Sequence, residues 1–288
     1  MPIHPAQAII LGLVEGLTEF LPISSTGHLI LTAHLLTLQG EAVNTLTIVI
    51  QAGALGAVLG LYRARLGAMG RGLLGADPEG WRLARNLVVS VVPAALAGVL
   101  LHRTITARFF AVGPVVAALA IGGALMIVVD RAIAARRGTR TLACLTVVDA
   151  RLIGLAQSLA LWPGMSRAMV TIVAGLLLGL PATAAAEYSF LLAIPTLAAA
   201  TLFDAVGGGH ALVQAAGWTS LLCGFVAAAV VAALAIQGFV DYLTRRGLAL
   251  FGWYRLGLAA AVWGVVGRLS HALAATAAAA AVMVVQEP

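Results

Sequence analysis

The run EGLTEFLPISSTGH, Glu15 to His28, concentrates two carboxylates, four hydroxyls and an imidazole within fourteen residues. Glu15 and Glu19 are four residues apart and so share one helix face. Like charges repel there, and a carboxylate in apolar surroundings is costly. A divalent cation, an arginine or a shared proton must compensate. Glutamates that only cap helix packing are the structural alternative, and two of them in one interrupted apolar segment argue against it. Ser24, Ser25, Thr26 and Gly27 follow Pro22, where a second helix would open. Helix N-terminal amides attract anions, and hydroxyls beside a glycine let phosphate oxygens approach the backbone. Ser24 or Thr26 can equally serve as a plain helix cap. His28 follows Ser25 by three residues, placed to act as general base or acid for a hydroxyl or water. A satisfied core histidine is its structural alternative.

A cation comes from a second polar interruption, Pro163-Gly164-Met165-Ser166-Arg167, again inside an apolar stretch. The planar guanidinium fork of Arg167 suits phosphate or carboxylate, although a simple ion pair with Glu15 or Glu19 would also satisfy it. Two carboxylates, hydroxyls, a histidine and an arginine on two facing tips favour metal-assisted phosphoryl chemistry. An ion path would not need the serine–histidine spacing.

The elements that must carry these residues are membrane helices. Of 288 residues, 61% are hydrophobic and 10% charged, with mean hydropathy +1.03; soluble domains carry about 25% charged residues. All seventeen basic residues are arginine, scattered between apolar runs, and no basic cluster is interleaved with aromatics, which excludes nucleic acid as partner. Uninterrupted runs place spans near 43–62, 83–101, 113–132, 184–203, 217–240 and 249–268, about 20 residues each. Segments 5–37 and 149–180 are long enough but broken by the two polar interruptions. Backbone freed at such breaks is tolerated only against protein or a wet cavity, so both read as re-entrant hairpins. One and the same offset, close to half the chain, carries Pro22 onto Pro163 and Ser25 onto Ser166. The expected architecture is therefore an all-α polytopic membrane protein, one membrane domain over 1–288. It divides into an inverted repeat of 1–141 and 142–288, each a re-entrant helical hairpin plus three transmembrane helices, with a midplane site. Eleven arginines in 63–85, 131–140 and 245–246 against Arg103 and Arg108 opposite make the former loops cytoplasmic and both termini periplasmic. Nothing at the N-terminus reads as a removable signal peptide.

The Glu15–His28 run, with WPGMSRAMVT (Trp162–Thr171), closely resembles the undecaprenyl-diphosphate phosphatase family, also called bacitracin-resistance proteins. The likeness extends to Ile50-Gln51, to Glu187–Leu192 and to Tyr254-Arg255. It implies a multi-pass enzyme of the bacterial inner membrane, with its active site opening to the periplasmic side. Such an enzyme would hydrolyse undecaprenyl diphosphate to undecaprenyl phosphate and inorganic phosphate, recycling the carrier for peptidoglycan synthesis and conferring bacitracin resistance. The cofactor implied is a divalent cation, Mg2+ or Ca2+, held by Glu15 and Glu19. Ser25 and His28 become the hydrolytic pair, with Glu19 and Arg167 also catalytic. Ser24, Thr26, Gly27, Ser166, Thr171 and Arg167 become substrate-binding. Besides the polyprenyl diphosphate and membrane lipid, a homodimeric partner is open. Two positions depart from the family pattern: Ala168 stands where a serine is usual, and Thr47 where many members carry an acid.

The remaining polar residues are expected in lesser roles. His34, His102, His210 and His271 read as interfacial or loop residues, and Glu187 and Arg255 as buried partners rather than catalysts. Asp149 and Arg151 mark the mouth of the second hairpin, and Gln157 is an uncharged counterpart of Glu15. Cys144 and Cys223 read as packed free thiols, and 272–285 as a helical end. An inverted-repeat transporter or flippase of a lipid phosphate is the competing reading. An intramembrane serine protease lacks a nucleophile elbow and gives the paired glutamates no role.

Overall fold

The computed structural model describes residues 3–38, 40–109, 111–133 and 138–265. Arg136, Arg137, His271 and the tail over 272–285 lie outside the described residues, as do the side chains of His102 and His210. The described chain is all-α. Its helices are α1 (Pro5–Thr18), α2 (Ser25–Leu35), α3 (Glu41–Leu61), α4 (Arg63–Leu73), α5 (Pro78–Phe109), α6 (Val112–Ile133), α7 (Val147–Ser158), α8 (Arg167–Leu177), α9 (Ala182–Ala216), α10 (Trp218–Arg245) and α11 (Ala249–Val265). Short 3-10 turns occupy Leu142–Cys144 and Leu159–Leu161.

Among the described residues four helices are long and apolar enough to cross a membrane: α5 over Pro78–Leu101, α6, α9 over Ala182–Leu202, and α10. Taken with α4, helix α3 makes a fifth, bent by 77° at Tyr62. The bend falls where the composition changes. Arg63, Arg65 and Arg71 end the apolar run, so α4 turns aside and packs against the start of α5, with Gly72 and Gly80 at the contact. The expected span over 249–268 begins as α11, whose described part is shorter than a full crossing. Val99, Leu100, Trp218, Leu234 and Trp263 face outward. An apolar exterior of this kind needs lipid around it, and the chain is a polytopic membrane protein.

Both interrupted segments fold as helical hairpins. The first is α1 and α2, the second α7 and α8, and each second helix opens at a serine whose backbone is left-handed. Ser24 has φ 76° and Ser166 φ 70°; a non-glycine residue there is strained and persists only where its surroundings hold it. The positions alike in backbone are these two caps, Ser24 and Ser166, whereas the proline spacing pairs Ser25 with Ser166. The mismatch comes from an extra residue between proline and cap in the second tip. Only Ile23 separates Pro22 from Ser24, whereas Gly164 (φ 95°) and Met165 separate Pro163 from Ser166.

Small residues seat the hairpins. Helix α1 packs along α10 and α7 along α5. A methyl on Gly12 would strike the Gly224 carbonyl. Gly154 stands at the same offset from Gly12 as Ser166 from Ser24, and a methyl on it would strike the Ser90 carbonyl. Without a hydrophobic driving force between helices in lipid, such close approach supplies the packing energy. Hydroxyl and amide groups on α5 lock the second hairpin: Asn86 Nδ2 donates to Leu145 O at 2.8 Å and Ser90 Oγ to Ala150 O at 2.7 Å. At the hairpin's mouth Asp149 completes a capping box with Thr146, and Arg140 donates to Asp149 Oδ2 at 2.6 Å and to Leu178 O at 2.7 Å. Arg140 therefore ties both ends of that hairpin together, while Arg151 faces outward. Asp130, at the end of α6, accepts from Leu248 N at 2.8 Å and Ala249 N at 3.3 Å, and so caps α11.

Candidate active site

The two tips meet at a cavity of about 160 Å3 whose lining includes Glu19, Ser24, Ser25, Thr26, Gln51, Ser166 and Arg167. Three of its polar groups form one hydrogen-bonded chain. Glu19 stands at the C-cap of α1, so its side chain reaches past the helix end toward α2. Ser25 Oγ donates to Glu19 Oε2 at 2.6 Å, and Arg167 Nη2 donates to Glu19 Oε1 at 3.1 Å. Each carboxylate oxygen thus serves one tip. Arg167 Nη1 donates to Ser189 O on α9 at 2.8 Å, and its carbon centre stands 5.7 Å from the Phe20 ring centroid. Arg167 Nε is buried with no hydrogen-bond partner among the described residues. A buried donor without an acceptor is costly, and this one belongs to a residue of the cavity wall.

Several expected residues hold other positions. His28 is not hydrogen-bonded to Ser25. Its Nδ1 lies 2.7 Å from Ser24 O and its Nε2 2.7 Å from the Tyr254 hydroxyl, and the two rings stack at 8°. A helical side chain leans back toward the N-terminus, which brings the imidazole onto the Ser24 carbonyl of its own first turn. Because a carbonyl only accepts, Nδ1 carries a proton, and in the neutral ring Nε2 accepts from Tyr254. Thr171 is not in the cavity wall either. Its hydroxyl donates to the Arg167 carbonyl at 2.9 Å and lies 2.7 Å from Ser189 Oγ, from which it can accept, so it supports Arg167 from behind. Gly27 is buried beside Ser24, away from the lining. Ser166 caps α8, accepting from Met169 N at 3.3 Å, whereas Ser24 caps α2 with no side-chain bond and keeps its hydroxyl free for the cavity it lines.

Glu15 sits one turn behind Glu19, 1% exposed, and neither carboxylate oxygen has a hydrogen-bond partner among the described residues. Gln157, its counterpart on α7, is buried as well; it accepts from Thr196 Oγ1 at 3.4 Å, and its Nε2 is unpartnered among the described residues. Glu187 is half-buried rather than buried, paired with Arg65 at 2.6 Å. Cys144 is exposed and Cys223 half-buried, so neither is the packed thiol expected. His34 is exposed near the end of α2, as expected. Gln51 is a polar lining residue that the sequence reading placed only within the family likeness and gave no role in the site. A lone glutamine in an apolar run is a signal in principle, since lipid cannot satisfy its amide.

Residues 8–261 match the family described as bacitracin resistance protein BacA. The chain belongs to that family. Among similar proteins, an undecaprenyl-diphosphatase of Sorangium cellulosum is 51% identical over 259 residues, covering 89% of this chain and 84% of its own length. Undecaprenyl-diphosphatase 2 of Rhodospirillum rubrum is 43% identical, over 87% of this chain and 90% of its own. An undecaprenyl-diphosphatase of a Thermoanaerobacter species is 39% identical, over 88% and 93%. The match to the BacA family takes in the first hairpin from residue 8 onward, the whole second hairpin and every residue of the cavity wall.

Proposed function

We propose that this chain hydrolyses undecaprenyl diphosphate to undecaprenyl phosphate and inorganic phosphate, with Ser25 Oγ attacking and Glu19 accepting its proton. The hydrogen-bonded chain Ser25–Glu19–Arg167, spanning the two tips at the cavity wall, carries this reading. The names of the similar proteins supply the substrate. Arg167 fixes one carboxylate oxygen so that the other faces the serine, and its guanidinium, in the cavity wall, would offer charge-assisted donors to a phosphate oxygen. In the chemical step the Oγ–phosphorus bond forms as the terminal phosphorus parts from the bridging oxygen. Undecaprenyl phosphate leaves with that oxygen. Water then cleaves the phosphoserine, releasing inorganic phosphate, and Glu19 returns the proton to Ser25. The Ser24 hydroxyl and the first amides of α2 and α8 face phosphate oxygens on either side. His28, held between Ser24 O and Tyr254, keeps the strained first turn of α2 in place.

A divalent cation, Mg2+ or Ca2+, would be held by Glu15 and Glu19, and when bound would neutralise charge on the phosphoryl oxygens. The buried, unpartnered carboxylate of Glu15 fits that assignment. Among the described residues no group of three or more His, Cys, Asp or Glu could hold a metal. The remaining ligands would be substrate and water oxygens, as Mg2+ tolerates.

The bacterial inner membrane, with loops 63–82 and 133–148 cytoplasmic and the cavity opening to the periplasm, completes the reading. The serine caps Ser24 and Ser166 and the glycine contacts Gly12 and Gly154, matched at one common offset, support inverted repeats over 1–141 and 142–288. The groups named above all belong to one chain, so a homodimer is not needed for the chemistry. The test is release of inorganic phosphate from a polyprenyl diphosphate by purified protein in detergent. Release that Ser25→Ala and Arg167→Lys each reduce about a hundredfold or more is expected. Transport of a lipid phosphate without hydrolysis would instead favour the transporter.

A further inference from the structure

We infer that Arg255 on α11 is a positioning residue that sets the separation of the two hairpin tips. Its side chain is 0% exposed and enters none of the ion pairs among the described residues. Its hydrogen bonds among those residues all go to backbone carbonyls. Nη1 donates to Pro22 O at 3.3 Å and Nη2 to Gly164 O at 2.9 Å; Nη2 also reaches Ala118 O at 3.0 Å, and Nε reaches Leu119 O at 3.3 Å. Pro22 and Gly164 belong to the two breaks, where interrupted helices free carbonyls that lipid cannot satisfy. Ala118 and Leu119 anchor the other side of the guanidinium to α6.

The placement is matched on the two tips. Pro22 O lies three residues before Ser25, and Gly164 O three residues before Arg167. One rigid, planar group therefore holds the main chain that carries the serine against the main chain that carries the arginine. Among the described residues the Arg167–Glu19 ion pair also links the tips, made by side chains and open to rearrangement when phosphate competes for Arg167. Arg255 lies outside the cavity lining and keeps the tip spacing while that pair rearranges. A lysine cannot replace it, because a single ammonium does not reach carbonyls on three segments in one plane. Gly122 shows how closely the site is built: a methyl there would meet Arg255 Nη2 and Met169 Cε.

This inference rests on the cavity being the reaction site, and its test is arranged to separate the two. Steady-state kinetics of Arg255→Lys, Arg167→Lys and the double variant are measured in detergent on monodisperse protein, with Ser25→Ala alongside. Arg255→Lys should lower kcat about ten- to a hundredfold with KM within about threefold, the scale of a small misplacement of reacting groups. In the Arg167→Lys background the same change should cost less than about threefold, since tip spacing has lost the group it positions. Wild-type kcat in Arg255→Lys, or an equal loss in both backgrounds, overturns the inference. Should Arg255→Lys fail to fold, Gly122→Ala displaces the guanidinium while keeping it. A drop in kcat at near-constant KM, absent in the Arg167→Lys background, supports positioning, and unchanged kcat overturns it. If Ser25→Ala and Arg167→Lys themselves keep full turnover, the site reading fails instead.

Discussion

Replacing Glu15 by glutamine should stabilise the cation-free protein while removing its response to divalent cations. Glu15 is 1% exposed, and both its oxygens are without hydrogen-bond partners among the described residues. Even after relaxation, an ionised carboxylate so placed costs several kcal/mol. Glutamine keeps the shape and removes the charge, at the smaller cost of an unpartnered amide, about 1–3 kcal/mol. The difference favours the variant by about 1–3 kcal/mol in chelator. A cation at a hundred times its dissociation constant adds about 2.7 kcal/mol to a protein that binds it only when folded. Wild type should therefore gain that stability on adding Mg2+ or Ca2+, and Glu15→Gln should gain almost none. Thermal unfolding in detergent, with chelator and across a cation titration, reads both quantities, and phosphate release on the same samples reads activity. An equal cation-induced shift in both proteins would refute Glu15 as a ligand. A variant less stable than wild type in chelator would show that the carboxylate has a stabilising partner and that the burial argument is wrong.

Glu19→Gln should lower kcat by about 10²–10⁴, the worth of a general base, because the amide cannot accept from both Ser25 and Arg167; activity within threefold of wild type would show that Glu19 does not take the serine proton. It should also lower stability by about 3–5 kcal/mol, as for a buried pair left with one charge. Tyr254→Phe leaves the ring stack on His28 and removes one hydrogen bond, so phosphate release should fall less than tenfold, about 1 kcal/mol. A loss as large as that of Ser25→Ala would assign Tyr254 to the chemical step. A cysteine placed at Ala76, with Cys144→Ser and Cys223→Ser, should resist an impermeant thiol reagent applied to intact cells. Labelling there would reverse the arginine-based orientation.

Composition alone placed this chain in a membrane, because 10% charged residues cannot clothe a soluble surface. The two hairpins were equally legible: Pro22 and Pro163 with their neighbouring serines are costly in lipid unless the chain turns there. Spacing along a helix put Glu15 and Glu19 on one face, since that relation is local and set by 3.6 residues per turn. Partnership was not local. Ser25 and His28 are one turn apart, yet Ser25 bonds Glu19 across the break, and His28 bonds Tyr254, 226 residues away. Thr171, in the same motif as Ser166, points to Ser189 and away from the cavity, because α9 packs on that face of α8. Gln51 joined the site, and Arg255 joined both tips, only through the packing of α3 and α11 beside the breaks. A sequence states which groups must be satisfied inside a bilayer; which group satisfies which is decided when helices far apart in the chain come within about 3 Å.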